Sequence, residues 1–146
     1  MKNKMSENGQ SLVELSISIL ILLLLLVGAV EFGMAFFQFV QLRDAAQEGA
    51  LYGSLHPTEL DDIRDRVRDS SQSPIQLSSF PDSDIDITII GSACEGIDGG
   101  TGDSNGIMVT VSFEHEVFMP FMSQFVGNTI PLNATVTDTI LSPKCP

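Results

Sequence analysis

Few residues of this chain could do chemistry, and they are scattered. His56 and His115 are its two histidines, and Cys94 and Cys145 its two cysteines. No Gly-x-Ser-x-Gly elbow, phosphate-cradling glycine loop or CxxC pair accompanies them. His115 shares strand parity with Val109, Val111 and Phe113, so it falls on the apolar side of a strand, while Glu114 and Glu116 point the other way into solvent. Cys94 as a nucleophile would need a nearby base. A Cys94–Cys145 disulfide in an oxidising compartment accounts for both cysteines if that part of the chain is exported; two reduced thiols are the alternative. Closing a loop of about 50 residues would stabilise the fold by roughly 4 kcal/mol. The Gly- and Asp-rich stretch 95–106 offers the oxygens of Asp98, Asp103 and Asn105. Gly100 and Ile107 fall where an EF-hand needs ligands, so no metal and no cofactor is expected. These residues do not add up to an enzyme.

The two carboxylates that demand a reason are Glu14 and Glu31. Leu15–Val30 is an apolar run in which Ser16 and Ser18 are the polar residues, and Leu12, Val13 and Phe32–Val40 extend it. About 20 such residues cross a bilayer, and a carboxylate at the centre costs about 2.5–3.5 kcal/mol even on the gentlest scale. Lys2 and Lys4 precede the run, which keeps the N-terminus cytoplasmic and sends the C-terminal portion outward. Glu14 lies one turn from the start of the apolar helix, where water and first-turn amides ease its burial. Cleavage after Gly9 would make Gln10 the new N-terminus and Glu14 the fifth residue of the mature chain. Glu31 follows seventeen residues later, about 25 Å along a helix, which places it at the opposite membrane face by default, with helix packing as the alternative.

The spacing of Gly9 and Glu14 resembles the processing signature of type IV pilins. The resemblance implies a prepilin peptidase that cuts after the glycine ending a short charged leader. It also implies that the glutamate meets the freed amine of a neighbouring subunit, since two charges in a low-dielectric bundle are tolerable when paired. Gly9-Gln-Ser-Leu-Val-Glu14, Val30-Glu-Phe-Gly33 and Ala45-Ala-Gln-Glu-Gly-Ala-Leu-Tyr-Gly53 together look like the TadE-like family, minor pilins or pseudopilins of the tight-adherence, Flp-type system. The likeness covers roughly residues 9–53. Its implied partners are other pilin subunits through the N-terminal helix, the prepilin peptidase and a membrane assembly platform. Small residues let helices approach closely, which makes Gly33, Ala45, Ala46, Gly49 and Ala50, along with Glu31, candidates for helix packing.

Nothing breaks the helical pattern before Pro57, so one rod from about Ser11 to Tyr52 would be roughly 60 Å long. Thr58-Glu-Leu-Asp61 has the outline of a capping box ahead of a short helix whose apolar face is Leu60, Ile63 and Val67. Ser70–Pro74 is a linker. Ile85–Ile90, Ile107–Val117 and Leu132–Ile140 alternate like strands and predict a small antiparallel sheet with one polar face. Phe118, Phe121, Met122 and Phe125 read as core by default, or as a subunit contact if exposed.

The expected class is therefore α+β: a leader over residues 1–9, a transmembrane pilin-type helix over 10–53 and an exported head over 54–146. That head carries fourteen Asp or Glu against four Lys or Arg, and so much negative charge repels nucleic acid. The function expected is a minor pilin of an extracellular filament, serving adhesion or pilus biogenesis. A major filament pilin is one alternative. Another is a secreted protein cut after Val27-Gly-Ala29, or a bitopic binding module in the membrane.

Overall fold

The computed structural model describes residues 7–98, 105–119 and 122–141. Its first element, α1, is one unbroken helix over Glu7–Leu55, about 73 Å long at 1.5 Å per residue. Side chains from Leu12 to Leu26 are exposed along it. By length and composition, residues 9–55 hold a segment able to cross a membrane. Ser16 and Ser18 do not interrupt it, because their hydroxyls donate to the carbonyls of Leu12 at 2.7 Å and Glu14 at 2.9 Å. Each hydroxyl is thereby satisfied within the helix.

The upper half of α1 differs because one stripe is covered. Leu42, Ala45, Ala46, Ala50 and Ser54 are buried there, at the three- and four-residue spacing of a single helix face. Against that stripe lie α2, Leu60–Asp69, and a sheet of β1, Ile85–Ile90, β2, Gly106–Glu116, and β3, Thr129–Thr139. The strands run antiparallel in the order β1-β2-β3, with Ile85 opposite Val111 and His115 opposite Ile130. Ile107, Val109 and Val111 point inward, where they form one core with Ile63, Val67, Leu77 and Ile140. A four-residue helix, α3, Ser123–Val126, precedes β3.

The N-cap of α2 falls one residue later than the expected one at Thr58. α2 starts at Leu60 with Glu59 as its N-cap residue and no side-chain cap. Glu59 instead accepts a hydrogen bond from the Tyr52 hydroxyl at 3.0 Å, so α2 is tied to α1. Of the predicted apolar face of α2, Ile63 and Val67 are fully buried, while Leu60 remains exposed at the helix start. Between α2 and β1 the chain takes short 3-10 turns at Leu77–Ser79 and Asp82–Asp84. Two side chains hold this connection. The Gln41 amide donates to the Ile75 carbonyl at 3.1 Å, and the Ile75 N–H donates back to Gln41 Oε1 at 3.2 Å. Arg68 donates to the Phe80 carbonyl at 3.1 Å and also pairs with Asp82.

Candidate functional site

The amino-terminal end of α1 carries Gly9, Gln10 and Glu14 in exposed positions, already helical. The apolar side chains around Glu14 face outward in every direction, with Leu12, Val13, Leu15 and Ile17 all more than half exposed. Among the described residues, a carboxylate in that collar has no apolar core of its own chain around it. Any low-dielectric setting for it must come from lipid or from another helix.

Glu31, expected at a membrane face or in helix packing, lies under the head. Its side chain is 4% exposed, and its Oε1 lies 3.0 Å from His115 Nε2 and accepts the Phe118 N–H at 3.0 Å. Gln38, two helical turns above Glu31, meets the other ring nitrogen, Nδ1, through its Oε1. Two proton arrangements satisfy this chain. Either the imidazolium donates from both nitrogens, or the Gln38 amide turns over and donates to Nδ1 while the neutral ring donates to Glu31. In both, the end of β2 is locked to α1 at the lower limit of the head. Glu31 Oε2 is buried with no hydrogen-bond partner among the described residues.

The link between Glu31 and His115 was not legible in the sequence, because 84 residues separate the two. Strand parity did place His115 on the inner face, where it is 4% exposed, and Glu114 and Glu116 are exposed on the outer face.

Ala45, Ala46, Gly49 and Ala50 all sit in the covered stripe. A Cβ on Gly49 would come within 2.5 Å of Val67 Cγ2, and one on Gly53 within 2.5 Å of Ile107 Cδ1. These small residues let α2 and the sheet seat closely on α1. Gly33 is different: a Cβ there meets nothing within 4 Å.

Cys94 is exposed beyond β1, and Cys145 lies outside the described residues, so the proposed pairing lies outside them too. In the acidic loop, Asp103 also lies outside them. Asn105 is already engaged, since its Oδ1 accepts the Ser92 N–H at 2.7 Å and its amide donates to the Gly96 carbonyl at 2.8 Å. Of the aromatic cluster after β2, Phe118 is 77% exposed rather than core, and Met122 is half-buried. Phe121 and the Phe125 side chain lie outside the described residues.

No curated protein and no solved structure significantly matches the chain. Residues 9–51, which hold the exposed apolar collar, the carboxylate within it and the small residues Ala45, Ala46, Gly49 and Ala50, match the family model described as TadE-like protein.

Proposed function

We propose that this chain is a membrane-anchored, pilin-type subunit of a tight-adherence system, cut after Gly9 by a prepilin peptidase and assembled through α1 into an extracellular filament. The observation that carries this reading is the division of α1. Its lower part is bare and, apart from Glu14, Ser16 and Ser18, apolar, and its upper part is dressed by a compact acidic head. The bare part is stable in lipid, and once drawn out of the membrane it needs other helices to cover it. A bundle of such helices, with heads outside, meets both requirements. Glu14 then pairs with the freed amine of a neighbouring subunit, because both charges enter the bundle and each is costly there alone. The head is secured outside the membrane by a Cys94–Cys145 disulfide, which thiol alkylation before and after reduction tests. Its size relative to the short α1-only design of a shaft subunit favours a minor component.

A secreted protein cut after Ala29 fits less well. Such a cut would leave Phe32, Phe36 and Phe37 bare at the start of a soluble chain. Glu14→Ala separates a filament subunit from a solitary membrane protein. Membrane insertion should be unchanged and incorporation into filaments lost; normal incorporation would remove the pairing role of Glu14.

A further inference from the structure

A groove of about 400 Å3 runs between the underside of the head and α1. Gly28, Phe32, Phe36 and Phe39 line it from the helix, and Val117 and Ile130 from the head. Among the described residues, the one charged group in its wall is Glu31. That carboxylate is withdrawn, with the residue 4% exposed and its Oε1 on His115 and the Phe118 N–H. A ligand in the groove therefore meets hydrocarbon, and any polar group it placed there would go unpaired. Such a wall selects a hydrocarbon chain.

The position of the groove along α1 says where such a chain comes from. Gly28 and Phe39 are eleven residues apart, about 16 Å of helix, close to one leaflet of a hydrocarbon core about 30 Å thick. Glu14 and Arg43, the charged residues on either side of the apolar stretch, are twenty-nine residues apart. That is about 43 Å of helix, against roughly 40–45 Å for a bilayer with its headgroups. With Glu14 among the inner headgroups and Arg43 among the outer ones, the groove lies beside the outer leaflet. It is continuous with the lipid-facing surface through Gly28 and Phe32, the latter 72% exposed. This register also covers exposed Phe36 and Phe37, and it accounts for the withdrawal of Glu31, a carboxylate at hydrocarbon depth. Phe118 and Val126, exposed on the lower rim of the head, then meet lipid as well. Glu114 and Glu116 are exposed on the far face of the sheet, and an ordinary helix tilt of about 20° raises that face toward the headgroups.

We propose that the groove is a phospholipid site: one acyl chain of an outer-leaflet lipid lies along Phe39, Phe36 and Phe32, and its phosphate is held by Arg43. Arg43 follows Phe36 by seven residues and Phe39 by four, so it stands on the same face of α1, one turn above the groove. It is exposed and has no hydrogen-bond or ion-pair partner among the described residues. A guanidinium binds phosphate through two parallel N–H donors. The head, with fourteen Asp or Glu against four Lys or Arg, repels anionic headgroups, so the lipid is zwitterionic. Holding it keeps the head seated on the membrane. Such binding needs α1 in the membrane, as proposed above, but neither cleavage after Gly9 nor assembly.

The test uses the full chain in phosphatidylcholine vesicles, with a tryptophan introduced into a sequence that has none. Lipids brominated on their acyl chains quench a tryptophan that they touch. Phe36→Trp in the groove and Phe118→Trp on the rim should both lose emission to the brominated lipid, whereas Leu51→Trp, exposed above the groove, should keep it. In native mass spectrometry from detergent, Arg43→Gln should lower the share of chains that retain a phospholipid about tenfold, as loss of a charge-assisted hydrogen bond does. It should leave thermal unfolding of the head unchanged. If Phe36→Trp and Phe118→Trp escape quenching at every protein-to-lipid ratio while Leu22→Trp in the anchor is quenched, protein covers the groove; the lipid site is overturned and membrane anchoring stands. An unquenched Leu22→Trp overturns both. Lipid retention undiminished by Arg43→Gln overturns the phosphate contact.

Discussion

Glu31 of α1 and His115 of β2 are joined at 3.0 Å by Oε1 and Nε2, each residue 4% exposed, and this contact ties the lower limit of the head to the helix. Deleting one partner leaves the other buried with its charge or proton uncompensated. His115→Ala is therefore expected to destabilise the head by about 3 kcal/mol. Glu31→Gln, which keeps a hydrogen-bond acceptor, should cost about 1 kcal/mol. Urea unfolding in detergent measures both, and the double variant should cost less than the sum. Strictly additive losses would mean that the two side chains do not act on each other.

Gly49 and Gly33 should respond in opposite directions to the same change. Gly49→Ala drives a methyl toward Val67, a stiff β-branched side chain, and overpacking of that kind typically costs 1–3 kcal/mol. The gain in helix propensity is at most about 1 kcal/mol, so a net loss of about 1 kcal/mol is expected. Gly33→Ala meets open space and should stabilise the isolated chain by about 0.5–1 kcal/mol. Thermal unfolding of the two variants in detergent checks the sign of each. A stabilising Gly49→Ala would mean that α2 sits farther from α1 than described.

Tyr52 is the one tyrosine of the chain, so its ionisation can be followed by ultraviolet absorbance without overlap. The hydrogen bond from its hydroxyl to Glu59 holds its pKa above the ordinary value, and partial desolvation adds to this. That ordinary value is about 10. Because the folded state favours the neutral phenol, the contribution to stability is complete below the unfolded pKa and is lost as pH rises through the folded one. Glu59→Gln should bring the titration midpoint down toward the ordinary value. An unchanged midpoint would mean that Glu59 does not hold the hydroxyl in solution.

The elements of this fold were largely legible because their signals are local. An apolar run without a breaker before Pro57 forecasts α1, and alternation forecasts β1, Ile85–Ile90, at its observed limits. β2 and β3 differ from expectation at their ends, where pairing partners decide the limits. Contacts between distant segments were less legible. The partner of Glu31 was hidden because only folding brings His115 to it. Nothing in Thr58–Asp61 announced that Glu59 would be drawn to Tyr52. The close approach at Gly49 and the small residues around it was readable, whereas its partners, α2 and the sheet, needed the tertiary structure.

Intact mass of the chain recovered from surface filaments tests the central claim most directly, since assembly through a freed amino-terminus requires a defined new end. The prediction is a mature polypeptide starting at Gln10, with Gly9 and everything before it removed. A filament-borne chain that still starts at Met1, or one that starts at Val30 and lacks the apolar anchor, would contradict it.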